Sequence, residues 1–227
     1  MRFLSYNIHG CVGTDRTESP ERVLEVIREI DADVVALQEV HSSDEQDRDF
    51  LKKLEALPYQ SVIYGKTMRK PDADYGNLLL TRERPANTET NELPSAGGEP
   101  RGAIIADIFS KDRSVRVINT HLGLKASHRR NEFSGIEKYL FEIEESSVCV
   151  LMGDLNEWLP LRSYFRHLRS RFDPFSSQKT FPSVFPIFAL DRIGIMGKID
   201  AARFSVGQSP LARKASDHRP LICDIDW

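Results

Sequence analysis

The sequence predicts an α/β protein in which β-sheets pack on one another with helices outside. Three observations carry that expectation. Short runs rich in Val, Ile and Leu recur along the whole chain, several of them separated only by a turn. Four segments with helical spacing are interspersed among them. No internal repeat, low-complexity tract or linker divides the 227 residues, so a single domain over 1–227 is expected.

Phe3 to Ile8 reads as a strand that ends at Asn7-Ile8-His9-Gly10. Ser19-Pro20-Glu21-Arg22 opens a helix: serine at the N-cap, proline at the first helical position, and Arg22 where a capping-box glutamate would stand. Val23, Val26, Ile27 and Ile30 form its apolar stripe. Asp33 to Val40 is a second buried strand, with Gln38 and Glu39 at its carboxyl end. A polar helix then turns Phe50, Leu51, Leu54 and Leu57 inward and stops at Pro58. Gln60 to Tyr64 reads as strand, Lys66 to Asp74 as polar loop, Tyr75 to Thr81 as strand, and Arg84 to Gly98 as an exposed connection. Ala103 to Phe109 and Val115 to Thr120 form a hairpin around Ser110-Lys111-Asp112-Arg113. His128 to Glu144 is a helix with Phe133, Ile136, Leu140 and Ile143 on one side.

Val148 to Met152 is too short for a helix and rich in Val, hence a buried strand, and Gly153 turns the backbone at its end. Asp154 and Asn156 then share a face and leave Leu155 on the other. On this stretch alone an Asx turn, where Asp and Asn are common for local reasons, is the preferred reading. Leu161 to Phe172 has helical spacing with arginines at 162, 166, 169 and 171. Leu190 to Ile195, Ala202 to Val206 and Leu221 to Ile225 complete the strands.

The net charge of −3 gives no global pull toward nucleic acid or anionic membrane. Cys11, Cys149 and Cys223 are widely spaced, which argues against a structural zinc site or a disulfide framework. The N-terminus is too short and polar for a signal peptide, and no apolar run is long enough to span a bilayer. A cytoplasmic location is expected, and no obligate protein partner is evident.

Polar residues recur where strands end: Asn7, Glu39, Asn77, His121, Asp154, Asn156, Asp191, Asp217 and His218. Each has an ordinary structural reading: a turn residue at Asn7, a solvated strand end at Glu39, a core histidine at His121, a surface ion pair at Asp191-Arg192. Together their types fit one job. Glu39, Asp217 and the Asn7 carbonyl are hard oxygen ligands, suited to Mg²⁺ or Mn²⁺ rather than zinc. His121 and His218 could donate to a phosphoryl group, with Asp191 orienting one imidazole. Asp154 and Asn156 could position and activate a water. Asn77 and Arg101 are expected to contact substrate.

Ser5-Tyr6-Asn7-Ile8-His9, Leu37-Gln38-Glu39-Val40, Tyr75-Gly76-Asn77, Asn119-Thr120-His121-Leu122, Gly153-Asp154-Leu155-Asn156, Leu190-Asp191-Arg192-Ile193 and Ser216-Asp217-His218-Arg219-Pro220 stand in this order from end to end. The order resembles the endonuclease/exonuclease/phosphatase superfamily. The resemblance implies a four-layered α/β sandwich: two mixed β-sheets face to face, helices outside, and the site at one edge. It also implies a metal-dependent phosphoesterase in which Glu39 is the principal metal ligand, supported by Asn7 and Asp217. Asp154 would deprotonate the attacking water, Asn156 would fix it, and His218 paired with Asp191 would contact the scissile phosphate. His121 resembles the second histidine of the pancreatic deoxyribonuclease and sphingomyelinase branches. The glutamate that supports this histidine in the deoxyribonuclease branch has no obvious counterpart here; Asp74 and Asn77 are the candidates to take its place.

The substrate class is read from what surrounds these motifs. The chain is compact, slightly acidic and without a long basic insertion. Phe181-Pro182-Ser183-Val184-Phe185-Pro186-Ile187-Phe188 is strongly apolar and precedes Asp191, either as buried packing or as a rim that touches lipid. A lipid or small-molecule phosphodiester is the preferred substrate. The alternatives are a nuclease that uses the arginines at 129, 130, 162, 166 and 169 as phosphate contacts, and a binding module with an inactive site. An anionic membrane surface or nucleic acid are the corresponding partners.

Overall fold

The computed structural model describes residues 1–42, 47–69, 73–94, 97–110, 113–141, 147–159 and 163–227. In chain order the strands are β1 (Arg2–Asn7), β2 (Val34–Ser42), β3 (Ser61–Arg69), β4 (Asp74–Thr81), β5 (Asn87–Glu92), β6 (Gly102–Ser110), β7 (Arg113–His121), β8 (Val148–Asp154), β9 (Asp191–Met196), β10 (Ala201–Val206) and β11 (Leu221–Asp226). The helices are α1 (Pro20–Ile30), α2 (Asp47–Glu55), α3 (Ala126–Phe141), α4 (Ser163–Arg169) and α5 (Pro210–Lys214). A six-stranded sheet runs β10-β11-β1-β2-β4-β3 and a five-stranded sheet runs β5-β6-β7-β8-β9. Each is mixed: β1–β2 and β7–β8 are parallel pairs, and the other neighbours are antiparallel.

Strand alternation builds the layers. Phe3, Val34, Ala36 and Leu79 point toward Ile104, Ala106, Val117, Val150 and Ile193 of the opposite sheet and form the central core. Their neighbours Leu4, Val35, Leu37 and Leu78 face the other way, under Val23, Val26 and Ile27 of α1 and Phe50 and Leu54 of α2. On the far side Ile105, Ile118, Cys149 and Leu151 lie under Phe133, Ile136 and Leu140 of α3 and Phe165 and Leu168 of α4. Central strands covered on both faces therefore read as unbroken apolar runs. The result is the expected four-layered sandwich of two facing sheets with helices outside. Among the described residues no helix is long and apolar enough to cross a membrane.

Several expectations need correction. Lys66 to Asp74 is not all loop: β3 continues to Arg69, and Asp74 already belongs to β4, where its carboxylate pairs with Lys66 at 2.8 Å and Arg69 at 2.9 Å. The exposed connection contains β5, whose sequence Asn-Thr-Glu-Thr-Asn-Glu is polar on both faces because it is an edge strand in solvent. A 3-10 turn at His9–Cys11 and α5 carry no apolar period and were not anticipated. Ile143 and Arg162 lie outside the described residues.

Two local devices set the site. The β2–β4 register shifts between Leu37 and Val40, and Glu39 within the bulge has φ +56°. A bulge re-aims a side chain at the end of a ladder, here the Glu39 carboxylate. At the same end Asn119 of β7 spans the sheets, donating to the carbonyls of Leu37 (3.3 Å) and Leu78 (2.9 Å) and accepting from Gln38 (2.9 Å).

Gly153 has φ +146°, and a Cβ there would stand 1.8 Å from the Thr120 carbonyl oxygen of the neighbouring strand. Gly153→Ala should therefore cost more than about 3 kcal/mol or prevent folding. Urea denaturation checks this, and a variant as stable as the parent chain would show that β7 and β8 do not approach this closely.

Candidate active site

The topology delivers the polar residues to one edge. The parallel β1–β2 ladder ends at Asn7 and Gln38, next to Glu39 in the β2 bulge, and parallel β7 and β8 end at His121 and Asp154. Antiparallel β9 begins at that same edge, with Asp191 opposite Asp154, and antiparallel β11 begins there just after Ser216–Pro220. A pocket of about 280 Å³ opens between them, lined among others by Glu39, Arg101, His121, Asp154, Asn156 and His218.

Asp154 is its centre. Oδ1 accepts the Asn156 N–H at 2.9 Å, so the Asx turn is real, and Oδ2 accepts from Asn7 Nδ2 at 3.0 Å. Asn156 holds φ +50° in that turn, which brings its amide back to the Leu122 carbonyl and beside His121. His218 Nδ1 lies 2.8 Å from Asp191 Oδ2, and its Nε2 lies 3.7 Å from Asp154 Oδ2. Thr180 Oγ1 donates to the same Asp191 oxygen. The Phe181 ring, 4.8 Å away, covers the imidazole.

The two histidines are in opposite electrical states. At His218 desolvation opposes charge, but the carboxylates of Asp191, Asp154 and Asp217 overcome it and raise the pKa, so the ring is an imidazolium at neutral pH. At His121 burial, Arg101 and His218 all act against the proton and lower the pKa well below the usual range. Donors face that ring on both sides, Arg101 Nη1 at 3.3 Å from Nδ1 and Asn156 Nδ2 at 3.0 Å from Nε2, and an imidazolium has no acceptor to offer them. The nearness of His121 to Asp154 (3.7 Å) and Glu39 (4.0 Å) is thus not an ion pair. Burial raises the pKa of Asp154, against the opposing charge of His218.

The expected residues converge unevenly. Asp154, Asn156, His121, His218 and Asp191 meet, with Glu39 and Arg101 at the same pocket. Asn7 does not present a carbonyl: its Oδ1 accepts the His9 N–H, its main-chain oxygen accepts from Ser216, and its Nδ2 bridges Glu39 and Asp154, at 3.0 Å from each. It clamps two carboxylates instead. Asn77 is not at the pocket; it is buried and donates to the Gly102 carbonyl, tying β4 to β6. Neither Asp74, paired with Lys66 and Arg69, nor Asn77 supports His121, and Arg101 occupies that place. Asp217 lies at the side, partly exposed, 3.7 Å from His9. Arg129 is no phosphate contact, because it is buried and bonded to Glu157, Tyr164 and two backbone carbonyls. Thr180, Trp158 and Glu99 were missed as site residues. The nearest signal was Thr180-Phe181-Pro182 just upstream of Asp191, since the Thr180 carbonyl accepts the Arg219 N–H and so ties that loop to the His218 segment.

The donor set suits a cation. Among the described residues at the site, Glu39, Glu99, Asp154, Asp191 and Asp217 outnumber Arg101 and the His218 imidazolium, an excess of negative charge that would repel a phosphate unaided. Among the described residues Asp154, Asp191 and His218 form the one group whose ligand atoms all lie within 4.8 Å of one another. His218 Nδ1 and Asp191 are already spent on each other, so the half-exposed oxygens of Glu39 and Asp217 are the better hosts for a hard, water-retaining ion.

A model of the Endonuclease/Exonuclease/phosphatase family matches residues 4–218. The chain belongs to that family. As an endonuclease/exonuclease/phosphatase protein it is a phosphoester-hydrolysing enzyme. Its fold is shared with an endonuclease/exonuclease/phosphatase from Beutenbergia cavernae, at 21% identity and TM-score 0.78 over 100% of this chain and 71% of that one. SmcL matches at 14% identity and TM-score 0.81 over 100% and 99%. Truncated Caenorhabditis elegans TDP2 matches at 19% identity and TM-score 0.72 over 100% and 97%. At such identities the likeness concerns the fold alone. No curated protein matches the sequence.

Proposed function

We propose that this chain hydrolyses a phosphodiester of a lipid or small molecule by in-line attack of water, with Mg²⁺, or Mn²⁺ in its place, as cofactor. Glu39 and Asp217 would hold the ion, and when bound it supplies positive charge against the phosphoryl and leaving oxygens. The chain's own groups supply the rest. Asp154 Oδ2, free of any backbone bond, orients the water and takes its proton. The His218 Nε2–H donates to a phosphoryl oxygen, with Asp191 and Thr180 fixing the ring behind it. Asn156 Nδ2 and neutral His121 border the same space and position rather than protonate.

One observation carries the substrate class. Val184, Phe185 and Ile187 are exposed at 71%, 74% and 46%, and Leu124, which lines the catalytic pocket, at 67%. Arg219, next to His218, donates to the carbonyls of Ser183 and Val184, which anchors this apolar rim to the catalytic segment. An exposed apolar segment tied to the loop that carries His218 fits a lipid surface better than a nucleic-acid backbone.

Phe185→Asp tests it. Seating an aromatic side chain in an interface is worth about 1.5–3 kcal/mol, so hydrolysis of a vesicle-borne phosphodiester should fall about tenfold or more. Hydrolysis of soluble bis-p-nitrophenyl phosphate and the melting temperature should stay unchanged, since Phe185 is outside the core. Equal activity of variant and parent chain on vesicles would refute the lipid-facing rim.

A further inference from the structure

We propose that a second cavity, separated from the catalytic pocket by Trp158, binds a second phosphate group through Arg169, Lys179 and Arg192. The proposal deepens the lipid or small-diester reading and rests on it for the nature of the substrate. The cavity measures about 280 Å³, and Trp158 lines both it and the catalytic pocket. The indole packs edge-on against Phe181, the ring that covers His218, at 5.7 Å, and against Phe188 of the second cavity at 4.8 Å.

Strand alternation on β9 makes the two sites back to back. Asp191 turns toward His218, and the next residue, Arg192, points to the opposite face. There its guanidinium lies 5.4 Å from the centre of the Phe165 ring and 5.9 Å from that of Phe175. Arg192 is only 6% exposed. Its Nη1 donates to the Ser176 carbonyl at 2.7 Å, and its buried Nε has no hydrogen-bond partner. Arginine is almost never buried without a counter-charge. Yet among the described residues no carboxylate forms an ion pair with it, because Asp191 is engaged by His218 and Thr180, and Glu157, the acidic wall of the cavity, by Arg129 at 3.1 Å.

The exposed Arg169 and Lys179 line the same cavity and likewise form no ion pair among the described residues. The charge pattern is the reverse of the catalytic pocket: cations in excess, so an anion is held here without metal. The rings of Phe165 and Phe175 flank the guanidinium fork, which is a polar end of the site. Ile187, part of the apolar rim, also borders the cavity, which places its mouth where a bilayer surface would lie. The second phosphate is therefore either a further group on the same substrate molecule or the headgroup of a neighbouring lipid.

The test uses the full chain in EDTA, where the carboxylate-rich catalytic pocket repels anions. Inorganic pyrophosphate is titrated in by calorimetry. Arg169→Ala/Lys179→Ala, at exposed positions that leave the core intact, should weaken binding about tenfold or more, the loss of charge-assisted contacts. Arg192→Met should weaken it further, and because that variant also risks misfolding the double variant is decisive. Turnover with Mg²⁺ then separates the sources. A selective loss by the double variant on glycerophosphoglycerol phosphate, but not on glycerophosphoglycerol, identifies a second phosphate of the substrate. A loss confined to vesicles of phosphatidylglycerol identifies neighbouring headgroups. Turnover of bis-p-nitrophenyl phosphate should not change. Absence of hydrolysis on all these diesters would defeat the functional reading while leaving the pyrophosphate titration valid. Pyrophosphate that fails to bind, or that binds the double variant as tightly as the parent chain, overturns the second site.

Discussion

Asp154→Asn should lower kcat for bis-p-nitrophenyl phosphate about a thousandfold while the protein melts within a few degrees of the parent chain. The carboxylate has two oxygens with separate tasks: Oδ1 closes the turn to Asn156, and Oδ2 faces the pocket through Asn7. An asparagine keeps the turn with its own carbonyl and turns an amide toward the pocket, where it cannot accept the proton of water. General-base catalysis contributes roughly 10² to 10⁴ in rate, and all of it rests on that oxygen. The exchange gives up the acceptor that Oδ2 offers Asn7 Nδ2, but the charge it removes is one that burial already makes costly to the fold, so the net loss of stability is small. Steady-state kinetics beside a melting curve checks the claim. A folded variant that keeps even a tenth of the activity would remove Asp154 from the role of base.

What could be read from residues alone follows from where they lie in the layers. β1, β2, β4 and β8 are covered on both faces, so Val34 to Leu37, Leu78 to Leu80 and Val148 to Met152 are continuous apolar runs, and Phe3 to Tyr6 is interrupted only by the buried Ser5. β5 has solvent on both faces and leaves no periodic trace, and the Lys66–Arg69 extension of β3 is held by ion pairs that pattern does not reveal. The short α5 and the turn at His9–Cys11 are set by packing against α1 and β2 rather than by their own propensity.

The site divides in the same way. Asp154, His121, Asp191 and His218 were legible because each is a polar group at the end of a buried strand or just before one, and the sheet topology brings those ends together. Asn7 and Asn77 were recognised as positions but not in their roles, since a carboxamide can offer oxygen or nitrogen and only its neighbours decide. Thr180, Trp158 and the reversed face of Arg192 depend on how the 175–190 loop folds over β9, and no local pattern encodes that.

His218→Gln and Asp191→Asn should each lower kcat about a hundredfold to a thousandfold, and the double variant should be little worse than either. Among the described residues Nε2 of His218 is the cationic donor beside Asp154, 3.7 Å from Oδ2, so on the proposed mechanism the ring meets a phosphoryl oxygen as the water is deprotonated. Asp191 is fully buried behind the ring, and on the proposed mechanism it acts through the 2.8 Å bond to Nδ1, which fixes the ring and favours its charge. Losing the carboxylate therefore removes most of what His218 contributes, and two residues that act as one unit are not additive. A merely structural Asp191 would behave otherwise: its loss would lower the melting temperature and multiply with the loss of His218. The measurement is a double-mutant cycle in kcat on bis-p-nitrophenyl phosphate, with thermal unfolding of all four proteins. Independent effects, with the double variant slower than the parent chain by the product of the two single losses, would show that Asp191 and His218 do not work as a pair.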